Sequence, residues 1–286
     1  MIHKYGLLTI LLLLQIVPSF AQKALKGSII DSKTKKGIPY AAIGVVGKNI
    51  GTVADENGDF VLRLNKNSVA EKNPAIISSI GYESVSFRIL KIKNTILLNS
   101  ENIQLKDTVI KSNDLEQKNV GRIAEKGIGS ISFNNKKDRN IDDKLGREIG
   151  AILNLKGRNY LKKINFFIGQ NQFDSVKFRL NMYNVENNYP KDLIFNEEIL
   201  VELTQNQTGW LEIDVSKYSV RFEDRVAVTL QWIQGVEIDR DSKQVTIPAI
   251  FPTFARNGLI RAKSQDIWTL INATPSIYAN VDHVTK

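Results

Sequence analysis

Apolar and polar residues alternate in short runs along this chain, and Gly, Asn, Asp or Pro interrupt them at intervals of about ten residues, with few stretches at the helical period. Successive side chains of a strand point to opposite faces, so a run of this kind folds as a strand with one buried side. An all-β chain is the expectation. Residues 25–30 and 40–46 read as strands around a turn at 33–39. Residues 51–53 and 60–64 read as the arms of a hairpin, because Asn57-Gly58 between them tolerates the positive φ of a tight turn. Residues 75–80, 85–90, 96–98 and 108–110 complete a sandwich of about seven short strands.

The 286 residues leave room for a second domain. Residues 112–127 are polar without sustained periodicity and read as a linker. Beyond it, 127–133 and 147–153 alternate again, and 176–183 alternates most clearly. Val176, Phe178, Leu180 and Met182 take the core face, and Lys177, Arg179, Asn181 and Tyr183 the other. Leu211, Ile213 and Val215 face inward opposite Trp210, Glu212 and Asp214, while Val226, Val228, Leu230 and Trp232 share a core face. Further runs at 162–168, 199–203, 245–247, 259–262, 267–271 and 277–281 supply two sheets, so residues 128–286 are expected to form a jelly-roll-like sandwich.

Composition removes several chemistries. The chain has no cysteine, so neither a disulfide nor a thiolate nucleophile exists, and its two histidines, His3 and His283, are too few for a Cys/His zinc site. Residues 7–17 are apolar after Lys4 and lead into Pro18-Ser19-Phe20-Ala21, the pattern of a secretory signal peptide over residues 1–21. The apolar run is shorter than the ~20 residues a membrane-spanning helix needs, so no span is expected once it is cleaved. Gln22 rather than a cysteine follows, offering no lipid-anchor site. The net charge of +9 lies mostly at the N-terminal end, where residues 22–111 hold 14 basic against 8 acidic residues. These lysines are interspersed with acids and carry no aromatic interleaving, which reads as a solvated surface rather than a nucleic-acid groove.

Four segments in order carry a family resemblance. Lys26-Gly27-Ser28-Ile29-Ile30-Asp31, Gly37-Ile38-Pro39-Tyr40-Ala41, Gly51-Thr52 with Asp55-Glu56-Asn57-Gly58-Asp59-Phe60, and Ser79-Ile80-Gly81-Tyr82-Glu83 together resemble the carboxypeptidase-regulatory-like domain over about residues 24–111. The resemblance implies a transthyretin-like or Ig-like sandwich in residues 22–111 and an exported protein of the Bacteroidota envelope, periplasmic or associated with the outer membrane or cell surface. It implies no activity. A His-x-x-Glu zinc pair is absent, which excludes the peptidase chemistry beside which such domains occur. The second half is also too short for a receptor barrel of about 22 strands.

The candidate site residues lie in the second half. An exposed aromatic ring beside amide, carboxylate or guanidinium groups is what glycan recognition needs, since rings cover the apolar faces of sugars. Trp210, grouped by parity with Glu212 and Asp214, is the first candidate; Tyr183, Lys177 and Arg179 form the second. Trp268 sits in a run whose parity separates nothing. The expected role is that of a non-catalytic binding or docking module for a glycan or an envelope protein, with no cofactor or metal. The alternative is a polysaccharide hydrolase using a carboxylate pair among Glu197, Glu198, Glu202, Glu237, Asp239 and Asp241. Asp55–Asp59 lacks the downstream glutamate of a calcium loop and reads as a turn.

Overall fold

The structure, a computed structural model, describes residues 23–64, 74–101, 115–135, 144–236, 243–254 and 256–285. The expected signal peptide, the expected strand at 108–110, and Glu237, Asp239 and Asp241 lie outside these residues. Among the described residues no helix is long and apolar enough to cross a membrane.

Among the described residues the first sandwich has seven strands, at the runs read from the sequence before residue 99: β1 (Lys23–Asp31), β2 (Ala42–Val45), β3 (Gly51–Val53), β4 (Asp59–Leu64), β5 (Pro74–Ser78), β6 (Val85–Arg88) and β7 (Thr95–Leu98). They form a sheet β4-β1-β7 and a sheet β3-β2-β5-β6. Phe60, Leu62 and Leu64 point inward from β4 and meet Ile29, Ile43, Ile77, Ile96 and Leu98 in one core. Each buried Leu or Ile contributes about 1.5–3 kcal/mol. The Asn57-Gly58 turn forms where expected. Asp55 Oδ1 accepts from the Asn57 and Asp59 amides at 2.8 and 2.9 Å, so this carboxylate is committed to the turn.

The second sandwich contains β8 (Leu115–Gly121), β9 (Gly129–Asn135), β10 (Glu148–Ile168), β11 (Gln170–Asn171), β12 (Ser175–Glu186), β13 (Tyr189–Leu193) and β14 (Leu200–Thr204). It continues with β15 (Gly209–Asp214), β16 (Arg221–Val236), β17 (Lys243–Ile250), β18 (Gly258–Arg261), β19 (Thr269–Ile271), β20 (Thr274–Pro275) and β21 (Ile277–Val284). A ten-stranded sheet runs β13-β12-β16-β10-β18-β19, with β14 on β12, β15 and β21 on β10, and β8 on β21. The other sheet joins β11, β17 and β20 with β9 on β17. One apolar cluster, including Phe133, Phe166, Phe178, Leu230 and Trp232, fills the space enclosed by these strands.

Two local readings need correction. The runs at 147–153 and 162–168 are halves of a single 21-residue strand, β10, interrupted in sequence by polar residues where a bulge falls between Leu155 and Arg158. Gly157 supplies the bulge's positive φ of 88°, and its amide donates to Asp224 Oδ1 at 2.8 Å. Along its length β10 changes neighbours: residues 148–151 lie between β16 and β18, and residues 163–166 between β15 and β21, with β16 still paired beyond the bulge as far as Tyr160. The second correction concerns residues 115–121 of the expected linker. They form β8, hydrogen-bonded along its length to β21, because polar side chains on an edge strand leave the backbone free to pair.

The sandwiches pack against each other. Tyr40 and Val53 of the first belong to the core cluster of the second. The Tyr40 carbonyl accepts from Arg179 Nη2 at 2.8 Å, and its hydroxyl accepts from Lys177 Nζ at 3.0 Å. Gly44 presses its backbone onto the Lys263–Gln265 turn so closely that a Cβ there would stand 1.8 Å from the Ser264 carbonyl oxygen. Gly44→Ala is therefore expected to cost about 1–3 kcal/mol through overpacking. Urea denaturation of the full chain measures it, and the same change at solvent-facing Ser86 should leave the midpoint in place.

Candidate functional site

Strand register assembles a row of polar side chains that lie far apart in sequence. Arg179 of β12 is opposite Gln231 of β16, Gln231 is opposite Glu148 of β10, and Glu148 is opposite Arg261 of β18. Directly opposed residues share a face, so these four side chains form a transverse ladder across the sheet. Arg179 Nη1 donates to Gln231 Oε1 at 3.0 Å, Gln231 Nε2 to Glu148 Oε1 at 3.3 Å, and Arg261 Nη2 closes the row on the same Glu148 oxygen. Glu148 is fully buried. Its other oxygen accepts from Tyr183 Oη and Thr229 Oγ1, each at 2.9 Å, and from Asn181 Nδ2 at 3.3 Å. Arg179 also pairs with Glu198, and the Arg261 guanidinium lies 4.3 Å from the Trp268 ring centroid.

Above this ladder the two sandwiches leave a cleft of about 630 Å³. One wall comes from the Ser78–Tyr82 turn and Ser84 of the first sandwich. The other comes from Arg179, Asn181, Tyr183, Gln231 and Arg261, with Asn196 also contributing to the lining. Burial, with the Glu148 carboxylate adding to it, pushes the Tyr183 phenol above its ordinary range. The Glu148 and Tyr183 partners hold the Arg261 guanidinium charged despite the opposing effect of burial.

A second arrangement lies on the outer face of β15, β10, β21 and β8. Trp210 is opposite Phe167, and Asn165 is opposite both Glu212 and Tyr278. Trp210 meets Phe167 and Tyr278 edge to face at centroid distances of 5.2 and 4.9 Å, and its indole N–H donates to Glu125 at 3.2 Å. All three rings are half-buried. Beside them Lys163 Nζ donates to Glu212 at 2.7 Å, which holds the ammonium above its usual range, and Asn280 bridges Asn165 and Asn119.

The structure thus separates the sequence-derived candidates. Trp210 keeps the outward parity expected of it, with Glu212 and Asp214 exposed beside it. Lys177, Arg179 and Tyr183 share a face as expected, yet that face is not a solvated surface: Arg179 and Tyr183 are 3% and 6% exposed and Lys177 is half-buried. Period two identifies a face without saying what covers it, and here the first sandwich and the Lys263–Gln265 turn do. Trp268 is half-buried against Tyr183 and Arg261. Among the carboxylates considered for hydrolysis, Glu198 is paired with Arg179, and Glu202 accepts from Ser175 Oγ and faces Lys177. Glu148, Thr229, Gln231 and Arg261 were not singled out from the sequence, because only register brings them together.

Fold and site define an all-β protein whose N-terminal Ig-like sandwich is docked on the polar ladder of a larger one. Residues 25–113 match the CarboxypepD_reg-like domain, so the first sandwich is a domain of that kind. No curated protein matches the chain. Among solved structures, the chain is similar at 9% identity and a TM-score of 0.41 to a clostridial cysteine protease, Cwp84, after propeptide cleavage, covering 84% of this chain and 56% of that one. The cysteine protease and lectin-like domains of Cwp84, a surface layer associated protein of Clostridium difficile, match with the same identity and score over 86% of this chain and 59% of that one. The chain spans less than two thirds of either structure, and a likeness of this depth carries no conclusion about activity.

Two substitutions test the ladder. Glu148→Ala strands the Arg261 charge in a buried site and is expected to remove about 3–5 kcal/mol of stability in urea unfolding. Tyr183 has a raised phenol pKa in the folded state, so unfolded chains lose this proton first as pH rises. Stability should therefore be intact below the ordinary tyrosine value of 10.0 and fall above it. In denaturation series from pH 8 to 11, Tyr183→Phe should reduce that alkaline decline.

Proposed function

We propose that this chain is a non-catalytic accessory protein of the bacterial cell envelope, exported to the periplasm or cell surface, and that the outer face of β15, β10, β21 and β8 binds a glycan. The apolar run at 7–17 with its Pro18-Ser19-Phe20-Ala21 ending supports export. The single observation that carries the binding role is the grouping of Trp210, Phe167 and Tyr278 on one sheet face with Lys163, Glu212, Asn280 and Asn119. Aromatic surface covers the apolar faces of sugar rings, and the flanking ammonium, carboxylate and amides read hydroxyls. Trp210 is held from three sides by Phe167, Tyr278 and Glu125, so little side-chain freedom is lost on binding.

A binding role fits the carboxylates better than hydrolysis does. Glu148, Glu198 and Glu202 each have cationic or hydroxyl partners in place, whereas a glycosidase acid needs a proton and an approach to the scissile oxygen. Titration of the full chain with bacterial and plant polysaccharides, followed by tryptophan fluorescence, tests the reading. A saturable shift is expected with at least one of them, with Trp210→Ala lowering affinity at least tenfold while the melting temperature stays within a few degrees. Silence across the panel, with a broad patch on this face protected by an envelope protein, would replace the glycan by a protein partner.

A further inference from the structure

We propose that the cleft between the two sandwiches is a separate ligand site, for a short neutral oligosaccharide. This site does not rest on the reading of the outer face and shares none of the residues that carry it. Its volume of about 630 Å³ lies in the range of pockets that enclose small molecules. The neighbouring interdomain cleft is larger, about 740 Å³, but among the described residues no arginine lines it and Phe60, 3% exposed, is its one aromatic residue.

The charge state of the floor selects the ligand class. Each guanidinium that lines the cleft already has a carboxylate, Glu198 for Arg179 and Glu148 for Arg261. An anionic ligand would have to compete with those carboxylates, and a cationic one would face the guanidinium groups. A neutral polyol does neither, because each hydroxyl both accepts and donates. Donor capacity is left over for it. Arg261 spends only Nη2 on hydrogen bonds, to Glu148 and the Tyr183 hydroxyl, while its Nε is buried with no partner. Nε is sealed from solvent and is not itself within a ligand's reach; the guanidinium nitrogen left for a ligand oxygen is Nη1, which neither of those hydrogen bonds uses. Trp268 stacked on the guanidinium and Tyr183 beneath it fix the donor's plane in advance.

The remaining lining agrees. Ser78, Ser79 and Ser84 offer hydroxyls, Asn181, Asn196 and Gln265 offer amides, and the aliphatic side chains among the described lining residues are few: Ala42, Ile80 and Leu193. Three charged residues, Glu101, Lys191 and Asp192, also line the cleft, but all are solvent-exposed and Lys191 is paired with Glu186, so the buried floor and not these screened charges sets the ligand class. A peptide would find no apolar pockets for its side chains there. Because the walls belong to different sandwiches, a bound sugar bridges them, and occupancy should stiffen the junction as well as fill the cleft.

The test uses the full chain carrying Trp210→Phe, which removes the outer-face reporter and leaves Trp268 beside the cleft. Calorimetry and fluorescence are run with di- and trisaccharides of glucose, mannose, galactose and N-acetylglucosamine, together with galacturonate oligomers. Saturable binding of a neutral sugar is expected, weakened at least tenfold by Asn196→Ala and by Ser79→Trp, which fills the cleft from the other wall. Melting curves establish that both variants are folded; should Ser79→Trp fail to fold, Asn196→Ala alone decides. Binding by none of the neutral sugars, or binding unchanged in the folded cleft variants, overturns the proposal. Tighter, salt-sensitive binding of galacturonate overturns the neutral class. Loss of polysaccharide binding in Trp210→Ala, with neutral oligosaccharide binding intact, separates the two sites.

Discussion

A fully buried carboxylate organises the junction on which this molecule depends. Taking Glu148 out of water costs several kcal/mol unless its charge and both oxygens are matched. The match requires Arg261 from β18, Gln231 and Thr229 from β16, and Asn181 and Tyr183 from β12, all in register. A one-residue slip of any of these strands would turn its polar member to the apolar side and leave Glu148 short of a partner. The ladder therefore specifies register across four strands at once. Through Arg179 it also fixes where Tyr40, and with it the first sandwich, comes to rest.

Strand β10 links this junction to the outer aromatic face. Its first residues carry the ladder, and its last residues carry half-buried Phe167 and buried Asn165 on the outward-facing parity, paired with β15 and β21. The bulge at Leu155–Arg158 lies between these two stretches and is bridged by β16 on both sides, with Gly157 taking the positive φ that another residue would resist. The two surfaces are consequently built on a common rigid element. A disturbance at Gly157 would reach both.

Much of the fold is legible in the sequence because burial writes itself as alternation. Val176, Phe178, Leu180 and Met182 read as core and are core, and Trp210 reads as outward-facing and is. The failures share a cause. Alternation describes one strand against water and apolar core, and it has no vocabulary for a polar face covered by another polar surface. Arg179, Asn181 and Tyr183 look solvated for that reason. The continuity of β10 was hidden by the polar residues of its bulge, and β8 by side chains whose polarity says nothing about its backbone. Glu148 and Arg261, 113 positions apart, acquire meaning only when β10 and β18 are paired.

The position of β21 has a mechanical consequence. This strand is hydrogen-bonded on one side to β10 and on the other to β8, with its register running from Ile277 to Val284. Tension applied at Val284 along the strand axis loads both ladders in shear, so many hydrogen bonds resist together instead of peeling open one by one.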